Sequence, residues 1–218
     1  MWLRRRETYL ALAALLAIPS WAAPSTTVTE TFDGTLEEAT WRVAPFDVIE
    51  PSGGSPGAYL HVSGLDTFGP RIFSVEGLDQ KFVGDYRAKG VTGLGVDVQL
   101  FGTDFALGAR PISLYLNSDM GTPDDTLDDC DAVLVGPKNV PRAGTGWKAY
   151  DFKVPSQSAT LPNGWVLVGT CGSLPPDDAW SYVITHVKQP SFYFGEPDFF
   201  YIFQIWDVGF DNPRSTSR

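Results

Sequence analysis

Short runs in which apolar and polar residues alternate recur along most of the chain, separated by Gly, Pro, Asn and Asp. That period of two, broken at turn-formers, marks an antiparallel sandwich or barrel. In "GVDVQLF" Val96, Val98 and Leu100 alternate with Asp97 and Gln99; in "KAYDFKV" Tyr150, Phe152 and Val154 alternate with Ala149, Asp151 and Lys153. Each strand therefore buries one face and offers the other to water or ligand. The expected strands are Val28–Phe32, Trp41–Val43, Tyr59–Val62, Arg71–Val75, Val91–Phe101, Ile112–Leu116, Ala132–Val135, Lys148–Val154, Trp165–Val168, Ser191–Phe194 and Ile202–Phe210. One segment breaks the pattern. "PPDDAWSYVITHV" sets Trp180, Val183, Ile184 and Val187 at spacings of three and four behind Asp177 and Asp178, which predicts a single short helix with an acidic cap over one end of the sandwich.

The beginning of the chain reads differently. Arg4, Arg5 and Arg6 precede an apolar run from Leu10 to Ile18 and then small residues, the arrangement of a secretory signal peptide cleaved after Ala22. Residues 23–218 form one expected domain, without an internal repeat or a linker long enough to divide it. No later run approaches the roughly 20 apolar residues of a transmembrane helix. The expected location is secreted, extracellular or periplasmic. Formal charge is −10 for the whole chain, and removal of three Arg and one Glu with the leader takes it to −12. Nucleic acid and anionic membrane are poor partners for that surface. Cys130 and Cys171 are the only cysteines, and an oxidising compartment makes a disulfide between them the default.

Chemical motifs are sparse. "GGSPG" at Gly53–Gly57 matches a nucleophile elbow in letters only, since Pro56 lacks the N–H that the oxyanion hole takes from the residue after the serine. His61 and His186 are the only histidines and form no metal-binding motif. The densest charge lies in "NSDMGTPDDTLDDCDAV", where Asp119, Asp124, Asp125, Asp128, Asp129 and Asp131 surround Cys130 without a Lys or Arg. Neighbouring carboxylates at about 6 Å repel by about 0.7 kcal/mol per pair in water, and calcium would relieve this through oxygen ligands. The spacing fails the EF-hand pattern, and the competing reading is a solvated turn. A second calcium candidate combines Glu30 and Asp33, at the first strand, with Asp207, Asp211 and Asn212 at the last; Asp33 with Gly34 and Asp211 with Asn212 also read as ordinary turns.

Four stretches, "TFDGTLEEATWRV", "FVGDYRAKGVTGLGVDVQL", "WSYVITHVKQPSFYFGE" and "FQIWDVGFDNPR", together resemble the laminin IV (laminin B) type of extracellular module and the wider galactose-binding-like jelly rolls, and look closer still to bacterial exported proteins of that plan. The resemblance implies an all-β, antiparallel jelly-roll sandwich, not an enzyme as a rule, that binds carbohydrate or matrix partners. It also implies a structural Ca²⁺ between first and last strands, on Glu30, Asp33 and Asp211; the aspartate stretch around Cys130 is no part of it. The expected function is a secreted, non-catalytic module for carbohydrate or cell-surface polymer. Trp147, Trp165 and Trp180, which lie beside loops, are the candidate sugar-stacking rings, each competing with burial in the core. Trp41 and Trp206 are expected in the core. The alternative is a structural or adhesive module whose partner is another protein, and a third reading is a glycoside hydrolase with two carboxylates across a cleft.

Overall fold

A computed structural model describes residues 24–43, 46–75, 77–78 and 80–218. The expected leader and its cleavage site lie outside the described residues. The strands are β1 (Thr26–Thr29), β2 (Trp41–Arg42), β3 (Val48–Glu50), β4 (Tyr59–Thr67), β5 (Arg71–Ser74), β6 (Val91–Thr103), β7 (Pro111–Ser118), β8 (Cys130–Asn139), β9 (Lys148–Lys153), β10 (Trp165–Gly169), β11 (Gln189–Phe194) and β12 (Gln204–Ser217), with one helix, α1 (Pro176–Thr185), between β10 and β11.

The alternation read from the sequence is the alternation of the layers. One sheet runs β3-β4-β12-β6-β9, with β1 also paired to β12; the other runs β10-β8-β7-β11-β5-β2. Every pairing is antiparallel. Val96, Val98 and Leu100 of β6, Trp206, Val208 and Phe210 of β12, and Leu60 and Val62 of β4 meet Ile112, Leu114 and Leu116 of β7 and Phe192 and Phe194 of β11 in one continuous buried cluster. The fold is therefore the expected all-β sandwich, its chain passing repeatedly between sheets before β12 returns to the middle of the first. Trp41 and Trp206 are fully buried, as expected. Trp41 stacks on Phe192 at 5.7 Å and meets the edge of Phe82 at 5.3 Å.

α1 buries Ala179, Trp180, Val183 and Ile184, the stripe expected of an amphipathic helix. Its cap differs from expectation. Pro175 is the N-cap residue, and Asp177 instead accepts the Leu161 N–H at 2.9 Å, so the acidic first turn favours the helix through its dipole rather than by capping. The Cys130–Cys171 disulfide is formed, with Cα atoms 4.4 Å apart and both residues buried. It ties the end of the aspartate stretch to the chain just beyond β10.

Three boundaries differ instructively. Val28–Phe32 is not a strand throughout: β1 stops at Thr29, and Phe32 takes a left-handed backbone that turns its ring into the core. β3 pairs with β4 through only three residues, too few to show a period. The expected turn at Asp211–Asn212 is a bulge inside β12, where the register against β6 shifts between Asp211 and Arg214 and Asn212 has φ +48°. Turn-forming residues suit a bulge for the same reason they suit a turn: Asn tolerates positive φ.

Candidate functional site

The solvent side of the first sheet is built by the polar halves of its alternating strands. β4 turns Leu60 and Val62 inward, which leaves Tyr59 and His61 on the outer side; β12 does the same with Asp207 and Gly209, and β6 with Gln99 and Phe101. Register brings them together. Gly209 lies opposite both His61 and Gln99, and a Cβ there would come within 2.9 Å of the Trp147 ring and 3.0 Å of the Tyr59 ring. The missing side chain at Gly209 is what lets the two rings settle onto the sheet.

Over that floor Trp147 packs edge-on against Tyr59 with centroids 5.2 Å apart, Tyr59 lies 5.8 Å from His61 and 5.9 Å from Phe101, and His61 meets Phe101 edge-on at 5.1 Å. Carboxylates flank the imidazole. His61 Nε2 lies 2.7 Å from Asp207 Oδ1, and Nδ1 lies 3.4 Å from Glu50 Oε1. Both acidic side chains stay about two-fifths exposed, at 41% for Glu50 and 40% for Asp207. Burial first, and then the charges of Glu50 and Asp207, raise the pKa of the Tyr59 phenol. Chemically, this is a surface of two half-covered rings, Phe101 and Trp147, packed on the buried Tyr59 beside carboxylate acceptors, and it is suited to stacking and to receiving hydroxyl protons.

The loop Pro51–Gly57 extends the site. Trp147 Nε1–H donates to Gly53 O at 2.8 Å, which holds the loop over Asp211. That carboxylate is fully buried and accepts the Ser55 N–H at 2.5 Å and the Asn212 N–H at 2.7 Å. Burial pushes its pKa up to about 6 against the pull of those two N–H groups, and the charges of Asp97 and Asp33 add to the rise. Gly54 is a close approach, since a Cβ would sit 2.6 Å from Asp211 Oδ2. Beside it, Arg214 bridges Asp97 at 2.8 Å and Asp151 at 2.7 Å.

Of the expected stacking rings, only Trp147 reaches this surface. Trp165 and Trp180 are buried, with ring centroids 5.1 Å apart, because α1 lays its apolar stripe over β10; the Trp180 indole N–H donates inward to Ser158 O. Neither is available to a ligand.

The carboxylates expected to hold calcium take separate partners. β1 does lie against β12, and Glu30 N donates to Pro213 O. Yet Glu30 accepts the Thr40 hydroxyl, Asp33 accepts the Thr31 hydroxyl, and Asp211 serves backbone N–H groups. In the aspartate stretch, Asp119 accepts the Gly121 N–H and pairs with Lys188 at 3.0 Å, Asp125 accepts the Leu127 N–H, Asp128 the Thr122 hydroxyl and Asp131 the Asn117 amide, while Asp124 is exposed. A lysine from outside the stretch thus supplies the cation missing within it. Burial and the neighbouring carboxylates raise the Asp129 pKa. Among the described residues, no group of three or more His, Cys, Asp or Glu side chains is placed to hold a metal ion.

The sequence marks His61 only as a histidine outside any metal-binding motif; the structure makes it the centre of the aromatic and acidic cluster. The alternation around Tyr59 and His61 put them on a polar face, but which strands lie beside them is a matter of register. A second exposed feature also went unread. Ile202 and Phe203 lie before β12 rather than in it, and Phe199, Phe200, Ile202, Phe203 and Ile205 expose their side chains beside Phe68, whose ring lies 3.9 Å from that of Phe203. The segment is pinned by Tyr201, which stacks on the buried Arg110 at 4.0 Å. Comparison with protein-family models and with curated proteins gives no match. Among the described residues, no helix is long and apolar enough to cross a membrane.

Proposed function

We propose that this chain is an exported, non-catalytic binding module that recognises carbohydrate or a cell-surface polymer through the outer face of its first sheet. The observation that supports this reading is the Trp147, Tyr59 and Phe101 ring cluster set beside the exposed carboxylates of Glu50 and Asp207. Sugar rings present apolar C–H faces to aromatic side chains and adjacent hydroxyls to carboxylates, so a site for them combines these two groups at one surface. The disulfide is compatible with an oxidising, extracellular setting. A glycan and polysaccharide array tests the reading, run with Ca²⁺ and with a chelator. Specific binding that Trp147→Ala and Asp207→Ala each weaken at least about tenfold supports it, and silence across the array in both buffers removes it. Loss of binding in chelator alone would restore calcium as a component.

A second reading rests on the exposed apolar end formed by Phe68, Phe199, Phe200, Ile202, Phe203 and Ile205. Contiguous apolar surface of that kind marks protein contact, and this end would carry an adhesive function. Crosslinking or sedimentation that changes with Phe200→Ser/Phe203→Ser, in a protein that binds no glycan, would favour it over the first.

A further inference from the structure

The connection between the sheets that carries Trp147, from β8 to β9, reverses the charge of the protein. From residue 132 to residue 150 the chain holds Lys138, Arg142 and Lys148 and not one Asp or Glu, although acidic residues outnumber basic ones 26 to 16 overall. All three side chains are exposed, and among the described residues none pairs with a carboxylate, unlike Arg42, Lys188 and Arg214. Lys138 Nζ donates to Ala149 O at 3.1 Å, which fixes its ammonium over the β8–β9 connection.

These cations border two cavities of 640 and 530 Å³ that share Asn139 and Arg142 and so form one shallow groove. One half is floored by Leu100, Phe105 and Leu107; the other is edged by Lys138 and Lys148. Asp104, beside Phe105 in the chain, is engaged elsewhere by the Ile205 N–H at 2.9 Å. Position ties the groove to the aromatic face. Trp147 lies on the outer side of the first sheet, while Lys148 pairs with the inward-facing Val98 at the start of edge strand β9. The two surfaces therefore stand back to back across one strand, and an extended polymer crossing that edge touches both.

We infer that the groove between β8 and β9 binds the anionic group, carboxylate or sulfate, of an acidic polysaccharide; this rests on the carbohydrate-binding reading and specifies its ligand class. Arg142 offers a planar fork to such a group, Lys148 and Lys138 add point charges, Asn139 supplies an amide for a hydroxyl, and Phe105 presents an apolar wall to the sugar ring. A duplex nucleic acid is a worse fit, because its closely spaced phosphates would face the acidic remainder of the protein. A polysaccharide carries its charges one per sugar and can place them locally.

Calorimetric titration of the purified protein with polygalacturonate and with its fully methyl-esterified form separates charge from backbone, and a sulfated galactan beside its desulfated form separates sulfate from carboxylate. At least one acidic form should bind about tenfold more tightly than its neutral partner, and salt should reduce the difference. Arg142→Gln/Lys148→Gln should remove that preference and leave binding of the neutral polymer unchanged; Lys138→Gln/Arg142→Gln serves as a second pair if the first lowers the melting temperature. Equal affinity for charged and neutral forms, an acidic preference that survives both variants, or tighter binding of duplex DNA overturns the inference. Binding of neutral polymers that Trp147→Ala weakens would leave the sheet-face reading standing in that event. Failure of every polymer, charged or neutral, would remove both.

Discussion

Asp211 and the aspartates from Asp119 to Asp131 are both acidic regions, and they differ in nearly every physical respect. Asp211 is a single carboxylate sealed under the Gly53–Gly57 loop, fully buried and held by two backbone N–H groups. The six aspartates form a surface stretch in which Asp119, Asp125, Asp128 and Asp131 each take a separate partner, with Cys130 bonded to Cys171 among them. Charge density along the chain thus fails to mark where charge is costly. The cost follows removal from water: burial raises Asp211 under its loop and, within the stretch, the partly buried Asp129 and Asp131, while Asp124 and Asp125 stay exposed.

Breaking the anchor of the exposed stretch should have the largest effect. A Cys130→Ala/Cys171→Ala variant releases a 41-residue separation and should lose about 4 kcal/mol on the chain-entropy account, read by urea denaturation under non-reducing conditions. Next comes Asp211. Its folded-state pKa is raised from 3.8 to about 6, so the folded protein binds the proton more tightly than the unfolded chain. Stability should rise as pH falls from about 6 to about 4, by no more than about 3 kcal/mol. Burial raises the Asp131 carboxyl in the same direction, so the decisive measurement is the difference between wild type and Asp211→Asn. The variant should show a flatter profile; an unchanged slope would place the buried charge elsewhere. Trp147→Ala, which frees the Gly53 carbonyl and uncovers Gly209, should cost about 2 kcal/mol. By loosening the lid it should also shrink the pH dependence assigned to Asp211. Asp124→Asn, at the exposed stretch, should change stability by less than about 0.5 kcal/mol, and a larger loss would show that the stretch is more constrained than its exposure indicates.

Alternation made the layers legible. β6 and β9 could be placed with the correct residues inward because two periods or more of a half-buried strand fit within each. The Cys130–Cys171 pair was readable because no third cysteine competes, and the helix because its apolar spacing changes from two to three and four. Other features depend on which strands become neighbours. The His61 cluster draws on β3, β4, β6 and β12, whose registers no local pattern specifies. Trp165 and Trp180 sit next to loops in the sequence, yet the fold places them against each other, since a helix packed on a strand buries the largest rings at the contact. Asp211–Asn212 read as a turn because the local preference for positive φ is common to turns and bulges, and only the partner strands β4 and β6 distinguish the two. The cationic groove was not legible for a simpler reason: three basic residues spread over eleven positions look dispersed until the chain crosses from one sheet to the other and brings the end of β8 beside the start of β9.

The position of β12 constrains how the protein is made. It joins β4 to β6 in the first sheet and pairs β1 as far back as Thr26 with Ser217. Until the ribosome has added residues 204–217, β4 and β6 have no strand between them, and their inward valines and leucines remain without a complete sheet. Such distant pairings form slowly, because long loops must close before the contacts that reward closure exist. A polypeptide of this design cannot complete its first sheet before residues 204–217 are synthesised, whereas every strand of the second sheet, from β2 to β11, is already on the chain by then.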